Sequence, residues 1–157
     1  MKTSTSASRS SKSGKKNQFI GLRKKIIIFC TAVFAILTFG SCTKKIVFPV
    51  SSTLPAAHAS AKIKTDKNGN YSIDLTVKHI ANPERLTPSR KFYVVWIETS
   101  QNGVVNLGQL RISNKLNGSL KTISSFKPIS IFITAEDDPA TKVHGMNIVL
   151  KTDSFDL

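Results

Sequence analysis

Acidic side chains are missing from the first 45 residues, which hold ten of the chain's 23 lysines and arginines. Residues 46–157 hold the other 13 together with all nine acids, so their net charge is only +4. The overall charge of +14 therefore belongs mainly to the N-terminus, and we expect the rest of the chain to form a mildly basic surface. Because a nucleic-acid-binding domain clusters its basic residues on the folded part, this distribution argues against a nucleic-acid partner.

Cysteine is also scarce, since the chain has only Cys30 and Cys42. Two cysteines exclude a disulfide-rich scaffold and a zinc site built on cysteine. The three histidines, His58, His79 and His144, are far apart in the sequence and lack the spacing of metal ligands. We therefore expect neither a metal nor a cofactor.

Motifs that carry catalysis are missing from the sequence as well. It contains no glycine-rich loop suited to phosphate, and no motif that places a serine nucleophile beside a histidine. The acidic run Glu136–Asp138 offers oxygens for Ca²⁺ but lacks the further spaced ligands of a calcium loop, so a solvated loop is predicted. We expect no catalytic residues and no enzyme activity. The alternative is a hydrolase, which would need a polar cleft around one of the histidines.

The first 41 residues have the pattern of an export segment. Residues 1–25 are basic and rich in serine and threonine, and we expect them to be disordered. Residues 26–41 form an uncharged run that follows Arg23, Lys24 and Lys25, as in a secretory signal. As a helix this run would span about 24 Å, less than the roughly 30 Å hydrocarbon core of a membrane. A cleaved signal is therefore favoured over a spanning helix.

The end of this run, Leu37–Cys42, resembles the lipobox of bacterial lipoproteins, with the small residues Gly40 and Ser41 directly before Cys42. The resemblance implies cleavage between Ser41 and Cys42, a diacylglycerol thioether on Cys42 and acylation of the new N-terminus. It also implies a lipid anchor on the non-cytoplasmic side of a bacterial membrane. Two alternatives stay open: a spanning helix that retains residues 1–25 as a cytosolic tail, and a soluble secreted form.

The exported part divides into a predicted tether and a predicted domain. Residues 42–58 contain Pro49 and Pro55 without a clear period, which predicts a flexible tether. Residues 59–153 are dominated by period-two alternation, which predicts β-strands. Turn motifs separate seven such strands. The predicted strands cover residues 59–64, 71–77, 92–99, 104–113, 119–124, 129–133 and 146–152.

This spacing predicts an all-β fold, an antiparallel Ig-like β-sandwich of about seven strands, preceded by a signal or anchor helix and a flexible tether. Residues 92–99 are apolar on both faces, which is typical of a covered central strand. We expect the aromatic side chains of Phe92, Tyr93 and Trp96 to belong to the core. An aromatic face that binds a sugar or a peptide is the alternative.

Short motifs in the second half of the predicted domain resemble the extracytoplasmic domain of anti-sigma-K factors. The matching residues are Tyr93–Trp96, Gly103, Leu107, Gly108, Ile131–Glu136, Pro139 and Gly145. The resemblance covers roughly residues 90–152 and implies an exported β-sandwich of sensory or scaffolding type. Members of that family also carry a cytosolic sigma-binding helical domain. Residues 1–25 contain nothing similar, so inhibition of a sigma factor does not carry over.

Together these features predict a lipoprotein of the cell envelope whose domain acts by binding or as a scaffold. Its expected partners are membrane lipid, through Cys42, and an envelope protein. The alternative function is that of a single-pass membrane regulator related to the anti-sigma-K extracytoplasmic domains.

Overall fold

The computed structural model describes residues 43–157, which form nine β-strands and one short 3-10 turn, Pro83–Arg85. The strands are β1 (Thr43–Val47), β2 (His58–Thr65), β3 (Tyr71–Lys78), β4 (Phe92–Thr99), β5 (Gly103–Gln109), β6 (Arg111–Ile112), β7 (Gly118–Ser124), β8 (Pro128–Glu136) and β9 (Ile148–Lys151). They form two antiparallel sheets, with strand orders β1-β2-β3-β7-β6 and β5-β4-β8-β9. The predicted all-β class is confirmed, whereas the predictions for residues 1–25 and 26–41 lie outside the described residues.

The two sheets share one hydrophobic core. The five-stranded sheet contributes the inward-facing residues of β2 and β3, and the four-stranded sheet contributes those of β4 and β8. All of these central side chains are at most 1% exposed: Ala61, Ile63, Ile73, Leu75, Val77, Tyr93, Val95, Ile97, Ile131, Ile133 and Ala135. Burial of each larger side chain stabilises the fold by about 1.5–3 kcal/mol. The result is a sandwich-like arrangement of two layers.

The prediction of a flexible tether over residues 42–58 is wrong for the described residues 43–58. Residues 43–47 form β1, which pairs with β2 along its whole length. Ile46, Phe48 and Leu54 are each less than a tenth exposed and belong to the core. Ile46 in β1 and Phe48 just after it are two residues apart and both point into the core. Pro49 follows them directly. The domain therefore begins before residue 59.

The predicted end of the domain at residue 153 is also too early. The backbone N–H of Phe155 donates to the carbonyl of Ile129 at 2.8 Å. Phe155 and Leu157 pack against the core cluster. This hydrogen bond and these apolar contacts hold the last residues against the core.

The predicted strand over residues 104–113 is two strands in two different sheets. β5 pairs with β4, whereas β6 pairs with β7 of the other sheet. The change of sheet follows Gly108, whose φ of 115° is open to glycine but strained for other residues. Buried Leu110 then donates its N–H to Tyr93 O at 2.9 Å. This division, together with β1, raises the strand number from the predicted seven to nine.

Two turn predictions have different outcomes. In the turn at residues 66–70, the carboxylate of Asp66 accepts the backbone N–H groups of Asn68 and Asn70 at 2.8 Å, and Gly69 has a φ of 80°. The turn predicted at Asn117–Gly118 lies slightly earlier, because the left-handed residue is Leu116, with a φ of 56°. Gly118 starts β7 instead, and a Cβ at this position would lie 2.7 Å from the side chain of Leu110.

Candidate functional site

Ser41 and Cys42, which flank the predicted cleavage site, lie outside the described residues, and so does the predicted lipid attachment on Cys42. The neighbouring residue Thr43 begins β1 and is paired with Lys64 of β2. β1 is the edge strand of the five-stranded sheet. In the chain, Cys42 therefore directly precedes the edge strand of this sheet. Among residues 43–157, no helix is long and apolar enough to cross a membrane.

The segment after β1 connects the two sheets. The N–H of Phe48 donates to Ala59 O at 3.1 Å, which extends the pairing with β2. Ser51 then donates its hydroxyl to the carbonyl of Val149 on β9 of the other sheet. The same hydroxyl oxygen accepts the N–H of Leu54 at 3.1 Å. A pull on the start of β1 is therefore resisted by contacts to both layers.

The outer face of the four-stranded sheet contains a second, smaller hydrophobic cluster. Val94, Trp96 and Phe132 are at most 1% exposed and form this cluster. The rings of Trp96 and Phe132 stack at a centroid distance of 6.2 Å. Trp96 Nε1 donates to the hydroxyl of Thr134 at 2.8 Å, so its one polar atom is satisfied. The expectation that Trp96 is buried is confirmed, but it lies outside the core between the sheets.

A loop formed by residues 137–147 covers this cluster, which is why Trp96 is not an open aromatic binding face. The ring of His144 meets Phe132 edge-on at a centroid distance of 5.1 Å. Asn106 on β5 holds the loop by donating to the carbonyls of Pro139 at 3.1 Å and Thr141 at 2.8 Å. Nothing in the sequence distinguishes Asn106, because a polar residue on the outer face of a strand is ordinary.

Tyr93 and Phe92, the other predicted core aromatics, differ in burial. Tyr93 is 1% exposed between the sheets, and its hydroxyl donates to the carbonyl of Ala81 at 3.0 Å. Burial raises the pKa of Tyr93 to about 12. Phe92, at the start of β4, is only partly buried. These contacts give Tyr93 a structural role that connects the loop before β4 to the core.

A charged pair stands beside the covered cluster. Lys151 donates to the Glu98 carboxylate at 2.6 Å, and Ser130 donates to the other oxygen of the same carboxylate. The hydrogen bond from Lys151, followed by that from Ser130, lowers the pKa of Glu98. Lys151 also lies 5.6 Å from the centroid of the Phe132 ring. The group is a polar border of the cluster, with every partner inside the four-stranded sheet.

The acidic run Glu136–Asp138 is engaged in three separate contacts. Glu136 accepts the backbone N–H of Gly145 at 2.7 Å. Asp137 pairs with Arg90 at 2.6 Å, and Asp138 accepts the N–H of Ala140 at 2.9 Å. The carboxylates thus anchor the covering loop at several points. Within residues 43–157, no three potential metal ligands converge.

The structure brings together two histidines that are distant in the sequence. The rings of His58 and His79 meet edge-on at a centroid distance of 6.4 Å. His79 follows β3 directly and has a φ of 55°. Its side chain is exposed at the end of the strand. His144, the third histidine, lies with the aromatic cluster of the other sheet.

Basic residues are concentrated on the outer face of the five-stranded sheet. The strand registers place six cations and one carboxylate on this surface, which we call the basic face. Its charged members are Lys45, Lys62, Lys64, Lys78, Arg111, Lys121 and Asp74. Four of the other acids, Glu98 and Glu136–Asp138, lie on the opposite sheet or in its covering loop. The expected mild basicity is therefore unevenly distributed, with one face strongly positive.

The residues that carry the anti-sigma-K resemblance come together in one layer. The Tyr93–Trp96 motif lies on β4, Leu107 and Gly108 lie on β5, and Ile131–Glu136 lies on β8. Pro139 and Gly145 belong to the loop that covers this sheet. No family model matches the chain, and no curated protein is similar enough to count as a match.

Proposed function

We propose that the protein is a bacterial lipoprotein, cleaved between Ser41 and Cys42 and anchored in a membrane through lipid on Cys42. The observation that carries this proposal is the position of β1, which begins at Thr43. Cleavage before Cys42 would remove none of the nine strands. Every paired strand and core side chain of the described residues 43–157 follows Cys42, so cleavage before Cys42 would leave all of them in place. The anchored product would be the whole two-sheet domain.

We further propose that this domain is an immunoglobulin-like sandwich. Strands β2-β3-β7-β6 form one layer and β5-β4-β8-β9 form the other. This is the order of an immunoglobulin domain with one added strand in the second layer, and β1 extends the first layer at its edge. The burial of Trp96 on the outer side of β4 departs from the immunoglobulin pattern, in which the strand tryptophan packs between the sheets.

The domain acts by binding an envelope component, without catalysis. Its two faces support this reading, because they differ in character. One is closed by a loop that Asn106 and Glu136 hold in place. The other is an open, strongly basic sheet surface. An open sheet face of one charge is a recognition surface for a partner of the opposite charge.

Lipid labelling tests the anchor directly. Cells that express the full chain are fed a fatty acid carrying a clickable alkyne, and the purified protein is examined for label. Cys42→Ser should abolish labelling, because it removes the thiol that accepts diacylglycerol. Cys30→Ser is the matched control, since it alters the only other cysteine and should leave labelling intact. Persistent label on the Cys42→Ser protein would contradict the proposal.

Intact mass of the protein extracted from membranes separates the proposed lipoprotein from a spanning regulator. The lipoprotein should lack residues 1–41 and carry the added mass of its acyl chains. A regulator related to the anti-sigma-K extracytoplasmic domains would retain residues 1–41, the cytosolic tail included, and have no acyl mass. A secreted form would be found outside the membrane fraction.

A further inference from the structure

The basic face contains an arrangement that works against the stability of the sheet. Lys45 of β1 and Lys62 of β2 are direct cross-strand partners. Like charges in this position are destabilising. Asp74 of β3 is the one carboxylate on the face. It lies between Lys62 of β2 and Lys121 of β7, and it forms an ion pair with Lys121 at 3.3 Å. Five positive charges of the face are therefore in excess, which points to an anionic partner.

Protection of a sheet edge explains only part of this charge. Lysines on an edge strand prevent pairing with another chain, and this accounts for Lys45 on β1. Lys62 and Lys64 are on β2, which is paired with β1 on one side and β3 on the other, whereas Lys121 of β7 lies beyond the two residues that pair with β6. The charges of Lys62 and Lys64 need another reason, because β2 has a neighbouring strand on both sides at these residues.

The shape of the face favours a layer of lipid headgroups over a nucleic acid. Five strands at about 4.8 Å spacing make a surface roughly 20 Å wide. Its uncharged positions are mainly serine and threonine, and no phenylalanine, tyrosine or tryptophan of the described residues lies on it to stack a base. Val47 and Ile123 are 65% and 70% exposed on this face. Such apolar side chains among lysines suit the boundary between headgroups and acyl chains.

The covalent path to the anchor supplies the second argument. Thr43 forms one corner of the basic face, opposite Lys64. Neighbouring Cα atoms are about 3.8 Å apart, so an anchor on Cys42 would hold this corner at the lipid surface. We propose that the basic face docks on a membrane rich in anionic phospholipid, with its lysines and Arg111 contacting the headgroup phosphates. This inference rests on the membrane attachment proposed above.

Lysine footprinting on the full chain tests this docking. The protein is reconstituted in vesicles of phosphatidylcholine alone, or of phosphatidylcholine with phosphatidylglycerol, and acetylated briefly before mass spectrometry. Acetylation of Lys62, Lys64 and Lys121 should be slowed severalfold only in the anionic vesicles. Lys91 and Lys142 lie away from the face and should react equally in both. Added salt should abolish the protection, since it screens the attraction.

A charge-neutralised variant gives a second, independent measurement. Each lysine near an anionic surface contributes a factor of about five in binding. Lys62→Gln combined with Lys64→Gln should therefore lower the ratio of docked to undocked protein about 25-fold, which is measured by the protection of Lys121. Both side chains are exposed, so the fold should persist. Lys91→Gln with Lys142→Gln is the matched control and should leave the protection unchanged.

The outcomes separate this inference from the proposed lipid anchor. Equal acetylation of the face in both kinds of vesicle would overturn the docking even if Cys42 carries lipid. Protection in anionic vesicles would support it even if the chain proves to be held by a spanning segment, because that segment also ends before Thr43. Protection that appears only when a polyanionic polysaccharide is added to neutral vesicles would overturn it in favour of a soluble polyanion.

Discussion

Lys45 on β1 and Lys62 on β2 lie directly opposite each other on the exposed face of an antiparallel pair. The next strand places Asp74 opposite Lys62, and the strand beyond places Lys121 opposite Asp74. Asp74 is therefore the only carboxylate in a cross-strand row that contains three lysines. Lys45, on the edge strand, is the lysine farthest from it. The position of Lys45 therefore affects the stability of the domain as well as the charge that the basic face offers to a partner.

Lys45→Glu should stabilise the domain, because it converts the like-charge pair with Lys62 into an opposite-charge pair. The expected gain in the free energy of unfolding is about 0.2–1 kcal/mol, and it should shrink as salt is added. Urea denaturation at low and high salt measures it. Lys115→Glu, in the exposed turn before β7, makes the same charge change without a cross-strand lysine and is the control. Equal effects of both variants would mean that only net charge matters.

Phe48→Ala should destabilise the domain by about 3–5 kcal/mol, the usual cost of removing a buried phenylalanine. Phe48 is 6% exposed, whereas Val50 two residues later is 74% exposed. Val50→Ala should therefore leave the midpoint of thermal unfolding nearly unchanged. If Phe48→Ala were equally neutral, residues 43–58 would behave as the flexible tether that the sequence suggests.

The Glu98 carboxylate should make stability depend on acid pH. Hydrogen bonds from Lys151 and Ser130 lower its pKa in the folded state below the ordinary value of 4.5. Its contribution is therefore complete above pH 4.5 and disappears as the pH falls through the lowered value, since protonation breaks the pairing. Urea denaturation between pH 7 and 3 measures this loss. Glu98→Gln should lose less stability than the wild type over that range, and identical slopes would contradict the assignment.

The covering loop should open when Asn106 is shortened. Asn106→Ala removes both hydrogen bonds to the carbonyls of Pro139 and Thr141. Trp96 is the only tryptophan in the chain and is fully buried beneath this loop, so its fluorescence reports the cover. Acrylamide should quench the variant more strongly than the wild type. Asn68→Ala, in the β2–β3 turn, should not change quenching, and an unchanged Asn106→Ala protein would show that the loop is held by other contacts.

Local patterns predicted the central strands well, because their side chains alternate between core and solvent. β3 and β4 lie where the alternation and the doubly apolar run place them. β1 was not predicted, because only Ile46 and Phe48 alternate into the core. Lys44 and Lys45 precede these two residues and Pro49 follows them. β6 escaped because two residues are too few to define a period.

The charged surface was beyond local prediction for a different reason. The net charge of residues 46–157 is small, and each lysine alone resembles any exposed residue. The basic face exists because β7 returns to lie beside β3, which brings Lys121 into one row with Lys62. Likewise, the contact of Asn106 with the carbonyl of Thr141 depends on a loop more than thirty residues away in the chain. Such pairings are fixed by topology, which a single sequence does not display.

The short connection between Cys42 and β1 changes what affinity the basic face needs. In the anchored form, contact between face and membrane is intramolecular, and the local concentration of lipid surface is about millimolar or higher. An interaction too weak to bring an unanchored domain to the membrane would then suffice to keep the basic face of the anchored domain against the lipid surface. A long tether would dilute that advantage as it lengthens. If the chain is anchored and docked as proposed, the early start of β1 would make the lipid composition a determinant of the domain's orientation, and so of which side faces outward.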